Sequence, residues 1–155
     1  MLASAGPDLL AIETIPDLDE AAVLVDLAEE LGLPAWLSCT VDGDRLRDGR
    51  PAAEAFALAA GSRAIVATGV NCCAPADALP AVRAVVAASG APAVAYPNAG
   101  EAWDARARRW VGAPGFDEAL PAAWVAAGAR FVGGCCRVGP DAIRRIARSL
   151  EGAAG

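Results

Sequence analysis

Short, wholly apolar runs along this chain alternate with longer stretches in which apolar residues recur every three or four positions. A run that is apolar on both faces predicts a buried strand, and the longer spacing predicts an amphipathic helix. Residues 8–13 form the first such run and end in Glu13; Thr14-Ile15-Pro16 then predicts a turn. Leu18, Ala21, Ala22, Val25, Ala28 and Leu31 follow at helical spacing. Asp17 opens this helix, with Glu20 at the capping-box distance, and Gly32 stops it. The same alternation predicts strands over 35–40, 63–71, 92–97 and 129–134. It predicts helices over 51–61, 75–90, 116–128 and from Pro140 onward, with fraying of the Ala/Gly-rich end after Leu150.

Pro51, Pro75 and Pro140 stand where helices start, and Gly32, Gly90 and Gly128 where they stop, an asymmetry that helix termini favour. Strands apolar on both faces and separated by helices predict parallel pairing with helical crossovers rather than hairpins. The class is therefore α/β, as a single domain over residues 1–155. Two architectures suit five βα units. One is a doubly wound open sheet; the other is part of an eight-stranded barrel. Periodicity does not separate them, although the lack of a glycine-rich loop after the first strand removes the main support for a dinucleotide-binding sheet.

Composition narrows the function more than the fold. Hydrophobic residues make up 55% of the 155 and charged residues 21%, which excludes a disordered tail. The most apolar stretch, residues 78–99, is interrupted by Arg83, Gly90, Pro92 and Pro97, so no membrane span is expected. The first residues carry no basic segment leading into a long apolar run, so no secretion signal is read and a cytoplasmic location is expected. The net charge is -6, and every basic residue is an arginine. Arg106, Arg108 and Arg109, between Trp103 and Trp110, are the nearest approach to a basic patch; a solvated loop is expected there, and nucleic-acid binding is not.

Histidine is absent, which removes Ser-His-Asp triads, Cys-His nucleophile pairs and His-ligated metals together. Five cysteines remain, and clustered cysteines in a reducing compartment point to metal or catalysis. The chemistry-bearing residues share one kind of place: Glu13, Thr40, Asn71, Cys72, Asn98, Cys135 and Cys136 all fall at predicted carboxyl ends of strands, where α/β folds build sites. Adjacent strand residues point to opposite faces, so Cys135 and Cys136 share a metal only if the chain leaves strand geometry. Gly133-Gly134 before them and Gly139-Pro140 after them permit that bend. Cys72, Cys135 and Cys136 would then give zinc three thiolates and one open position, the pattern of a catalytic site. Cys39, inside an apolar run, is expected to pack, and Cys73 to be a spectator or an adventitious fourth ligand.

Several motifs taken in order resemble the zinc-dependent homocysteine S-methyltransferase family. They are Glu13-Thr14-Ile15-Pro16, Asp48-Gly49, Gly69-Val70-Asn71-Cys72, Tyr96-Pro97-Asn98-Ala99-Gly100-Glu101, Trp110 and Gly133-Gly134-Cys135-Cys136-Arg137. The pattern is most similar to the branch that uses S-methylmethionine or S-adenosylmethionine. The resemblance implies part of a (β/α)8 barrel, units four to eight, with zinc held by Cys72, Cys135 and Cys136. It implies that Glu13 holds the amino group of homocysteine and that Asn71 lies beside the metal and orients the site. It implies methyl transfer from a sulfonium donor to the homocysteine thiol, giving methionine. The family's first three units, with an Asp-Gly-Gly loop and aromatic residues around homocysteine, have no counterpart in these 155 residues. The alternative expectation is therefore an inactive remnant, at most a zinc-binding or interaction module, that self-associates through exposed strand edges.

Overall fold

The computed structural model describes residues 2–151. Five strands form one parallel sheet: β1 (Leu10–Ile15), β2 (Ala35–Cys39), β5 (Ile65–Asn71), β6 (Ala93–Tyr96) and β9 (Ala129–Val132). Helices α1 (Leu18–Leu31), α2 (Ala52–Ala57), α3 (Pro75–Ser89), α4 (Leu120–Ala126) and α5 (Pro140–Glu151) alternate with them. Spatial order follows chain order, β1-β2-β5-β6-β9. This decides between the two architectures left open by periodicity. A doubly wound sheet reverses direction at a switch point, whereas each new strand here adds to the same side, as in a barrel wall.

Local chemistry accounts for the elements. The Asp17 carboxylate accepts from the amides of Asp19 and Glu20 at 2.9 and 3.0 Å, and Gly32 ends α1 in the left-handed conformation. Pro75 begins α3 and Gly90 closes it, as expected. Leu37 and Cys39 join the core under the helices with Val25, Phe56, Val85 and Trp124, while the alternating Trp36 and Ser38 lie on the opposite face. Gly69 is required by the β5–β6 approach: a Cβ there would sit 1.8 Å from the Val94 carbonyl oxygen.

Some expectations need correction. Residues 14–15 were expected in a turn, yet Ile15 is a buried strand residue that pairs with Cys39. The strand accommodates an extra residue between Ile12 and Ile15 because Thr14 adopts a left-handed φ of 61°. Helices α2 and α4 are shorter than their patterns, because residues 58–61 form turns, residues 116–117 are irregular and 118–119 only turn into α4. Two hairpins were missed. One joins β3 (Val41–Asp42) and β4 (Arg45–Leu46). The other joins β7 (Ala102–Asp104) and β8 (Arg109–Val111), in the segment expected to be a loop. There Trp103 and Trp110 pair directly across the strands, ring centroids 5.4 Å apart, which stabilises a short hairpin that its charged turn conceals in the sequence. The Ala/Gly-rich end beyond Glu151 lies outside the described residues.

The loop before α2 is tied to the start of α1. Asp48 accepts from the Leu18 amide at 3.0 Å and from the Arg50 amide at 2.8 Å, and its carboxyl is pulled down to about 2, chiefly by those two amides. Arg50 also reaches Asp17 and Asp19. The Asp48-Gly49 motif thus clamps two loops at the carboxyl rim of the sheet. No helix among the described residues is long and apolar enough to cross a membrane.

Strands β1 and β9 each pair on one side only. Beside β1, an open groove of about 490 Å³ is lined by Leu10, Ile12, Leu24, Leu27 and Leu31. Unpaired edges flanked by apolar surface recruit other chains. The 155-residue chain is expected to self-associate in sedimentation velocity. A sharp, concentration-independent unfolding transition of a monomer would contradict this.

Candidate metal and substrate site

The carboxyl end of β5 carries Asn71, and the chain leaves the strand at Cys72, whose φ is 54°. At the other side, Cys135 and Cys136 lie beyond the end of β9, in a turn closed by the Val138 amide on the Cys135 carbonyl at 3.2 Å, with Arg137 left-handed at φ 69°. The bend expected around the cysteine pair is present. Gly134 makes it possible: a Cβ there would meet Val138 Cγ1 at 2.1 Å.

The segment after β6 joins these two pieces. Cys135 donates its amide to the Pro97 carbonyl at 2.8 Å, and Ala99 donates to the Cys136 carbonyl at 2.9 Å. The Asn98 side-chain oxygen accepts from the Cys136 backbone amide at 3.1 Å, and the Asn98 backbone N–H donates to the Cys73 carbonyl at 2.9 Å. Residues 96–99 therefore set the spacing between Cys72 and the cysteine pair.

Three sulfurs converge as a result. Cys72 Sγ lies 3.7 Å from Cys136 Sγ, and Cys135 Sγ lies 4.0 Å from Cys136 Sγ. All three ligand atoms are within 4.8 Å of one another, and all three residues are half-buried. A tetrahedral metal with Zn–S bonds of about 2.3 Å places its sulfurs about 3.8 Å apart, so the donor set and its spacing fit zinc. Burial first, and then the neighbouring thiols, push the Cys72 thiol up to about 12; burial also raises Cys136. The thiols of Cys72 and Cys136 thus resist ionisation, and a divalent metal would reverse that preference. Cys39 and Cys73 are buried apart from this cluster, each pushed up to about 12 by burial.

Asn71 is 2% exposed and bridges three strands. Its Oδ1 accepts from Ser38 Oγ at 2.6 Å and from the Thr14 amide at 2.8 Å; its Nδ2 donates to Thr14 Oγ1 at 2.7 Å. It thus pins the β1 bulge and, through it, the neighbouring Glu13. Glu13 Oε1 accepts from the Tyr96 hydroxyl at 2.8 Å, and Tyr96 accepts from Trp36 Nε1 at 3.2 Å. Burial raises Tyr96, with Glu13 adding to the shift, so the phenol stays a donor. Trp36 packs edge-on against Tyr96 and beside Phe131, with centroids 6.4 and 6.1 Å apart. These residues line a cavity of about 540 Å³ that also includes Glu13, Gly133 and Gly134. Tyr96, Trp36, Thr14 and Ser38 were not singled out from sequence. Tyr96 alone carried a signal, as the one tyrosine of the chain, at a strand end.

Comparison with known proteins agrees with this geometry. The family described as homocysteine S-methyltransferase matches residues 1–150. The chain belongs to the homocysteine S-methyltransferase family. It is 40% identical to Homocysteine S-methyltransferase 1 of Zea mays over 164 residues, covering 100% of this chain and 50% of that protein. Homocysteine S-methyltransferase 1 of Arabidopsis thaliana is 38% identical over 158 residues, 97% of this chain and 48% of its own. The apo crystal structure of the homocysteine methyltransferase MmuM from Escherichia coli superposes with a TM-score of 0.78 at 34% identity, covering 95% of this chain and 52% of that one. A metallated form of the same enzyme gives 0.76 at 36% identity, covering 95% and 47%. This member of the homocysteine S-methyltransferase family spans about half the length of the relatives it matches, and its five βα units form part of a (β/α)8 barrel.

Replacing Cys135 with alanine is expected to abolish zinc retention by the reduced chain, while Cys39→Ala costs core packing and leaves zinc bound. Metal content after gel filtration, by atomic absorption, checks both. Equal loss from the two variants would remove the distinction between ligand and packing cysteines.

Proposed function

We propose that this chain carries the zinc and amino-acid half of a methyltransferase that moves a methyl group from a sulfonium donor, S-methylmethionine or S-adenosylmethionine, to the thiol of homocysteine. The observation that carries this reading is the convergence of Cys72, Cys135 and Cys136 at 3.7 and 4.0 Å, at the same rim as Glu13. Those three cysteines would hold zinc, which supplies the positive charge that keeps a substrate thiol ionised at neutral pH.

The chain's own residues do the positioning. Glu13 Oε2 has no hydrogen-bond partner among the described residues, so it is free to accept from the substrate ammonium, while the Tyr96 hydroxyl fixes Oε1. Asn71, locked by Ser38 and Thr14, holds β1 in the register that presents Glu13 toward the barrel axis side of the sheet, and it adjoins Cys72 in the chain. Positioning of this kind converts an encounter of two substrates into a near-unimolecular step. The substrate sulfur attacks the methyl carbon, and the carbon–sulfonium bond breaks with its electron pair passing to the departing sulfur. That sulfur leaves as a neutral thioether, so no side chain has to supply a proton, consistent with a site without histidine. The thiol proton is released when the substrate sulfur ionises.

One observation favours a second reading, a zinc-binding module without transfer activity of its own. The groove beside β1 leaves the barrel wall open next to Glu13, which lines it. A methyl-transfer assay of the zinc-loaded chain with homocysteine and S-methylmethionine separates the readings. Methionine formation is expected under the first and only zinc retention under the second. Under the first, Glu13→Gln is expected to raise the KM for homocysteine by about tenfold with zinc content unchanged, because a charge-assisted bond to the ammonium is lost. An unchanged KM would remove Glu13 from substrate binding.

A further inference from the structure

The two open edges of the sheet differ in chemistry. At the first, β1 has no neighbour on its outer side, and Leu24, Leu27 and Leu31 of α1 line the groove beside it. Leu27 and Leu31 are each 44% exposed. Helix α1 holds five carboxylates and no basic residue. Asp19 pairs with Arg50, and Glu29 accepts from the Arg63 and Ala64 amides. Glu20, Asp26 and Glu30 remain exposed, with no ion pair among the described residues.

At the second edge, β9 pairs with β6 alone. Arg130 and Phe131 of β9 line a cavity together with Ile143 of α5, so its wall reaches from the strand to the helix. Phe131 is 41% and Ile143 40% exposed. Helix α5 holds three arginines against Asp141 and Glu151. Arg145 reaches Glu118 ahead of α4 and Ile146 is buried, so helical geometry turns Ile143 and Ala147 to the side away from α4. Arg144 pairs with Asp141, while Arg130 and Arg148 are exposed and have no ion pair among the described residues.

We infer that the β9–α5 edge of one copy docks on the β1–α1 edge of a second copy, strand parallel to strand, and that the same contact repeated on the far side closes a two-chain barrel. Charge selects this pairing. Two β1 edges together would set the unpaired carboxylates of one α1 against those of another, and two β9 edges would set arginine against arginine. Unlike edges match instead: Arg130 and Arg148 complement Glu20 and Glu30, and Phe131 and Ile143 complement the leucines of the groove. Each edge also offers the free amides and carbonyls that a new strand requires. Spatial order equals chain order, so placing β1 after β9 continues the wall in the same direction. A two-fold axis along the strands then uses both edges of both chains, five strands from each, and leaves no edge open. The inference is independent of the methyltransferase reading.

The test is sedimentation of the 155-residue chain and of edge variants, alone and mixed. The unaltered chain is expected to form a dimer. Leu27→Glu places another carboxylate in the groove, and Ile143→Glu places one on the opposing edge. Each alone is expected to weaken the dimer at least about tenfold, with circular dichroism and zinc content unchanged. Their equimolar mixture is expected to recover dimer, because one contact of the mixed pair joins an unaltered β1 edge to an unaltered β9 edge. Glu30→Arg and Arg148→Glu form a second pair at exposed positions that leave the core untouched; each is expected to weaken the dimer alone and the mixture to restore it. A chain that stays monomeric overturns the inference. So does a dimer that Leu27→Glu breaks and Ile143→Glu does not, which marks pairing of like edges, and so do mixtures no more dimeric than their components. A ladder of ever longer species overturns the closed pair.

Discussion

Successive residues of an extended strand face opposite ways, so no strand by itself can aim two neighbouring side chains at one atom. The candidate centre exists because the backbone escapes this constraint where strands end. Among the described residues, four non-glycine positions have positive φ, and three of them, Thr14, Cys72 and Arg137, lie in or directly beside the site. Thr14 makes the bulge that carries Glu13, Cys72 turns its sulfur off β5, and Arg137 turns the chain just after the cysteine pair. Conformations of this kind cost energy and persist only where surrounding contacts hold them. Here the contacts are specific. Asn71 clasps Thr14, Thr40 Oγ1 donates to the Cys72 carbonyl at 3.2 Å, and Glu101 pairs with Arg137.

The parallel sheet supplies the frame for those turns. Because all five strands run the same way, their carboxyl ends share one rim, and residues far apart in the chain arrive together. Cys72 and Cys136 are separated by 64 positions and their sulfurs by 3.7 Å. Residues 96–99 act as the spacer between them, through backbone bonds that depend little on side-chain identity except at Asn98. The helical layer underneath, with Phe56, Val85 and Trp124 buried against the sheet, holds the strands in register, and Gly69 lets β5 and β6 approach.

Charge is distributed to match. Burial disfavours the thiolates of Cys72 and Cys136, and a divalent cation held by the cluster would favour them. Glu101 pairs with Arg137, next to Cys136 in the chain, and Asp48 with Arg50 at the start of α1, which keeps formal charges satisfied along the rim. Glu13 Oε2 and Glu101 Oε2 are each left without a protein hydrogen bond among the described residues.

The sequence by itself determined the class, the five βα units, most helix caps and the identity of the three clustered cysteines. Those properties are written in local periodicity, in capping chemistry at Asp17, Gly32, Pro75 and Gly90, and in motif strings a few residues long. Winding of the sheet, the β1 bulge, both hairpins and the partners of Glu13 and Asn71 were decided only in three dimensions. Strand order is a choice among long-range pairings that periodicity does not encode. Thr14 becomes left-handed because Asn71, 57 positions away, hydrogen-bonds to both its amide and its hydroxyl. The Trp103–Trp110 pair is equally hidden, since two aromatic residues seven apart read as a loop until the strands close and set them face to edge. Local signals name the groups that can do chemistry; the sheet, by bringing strand ends to one rim, decides which of them meet.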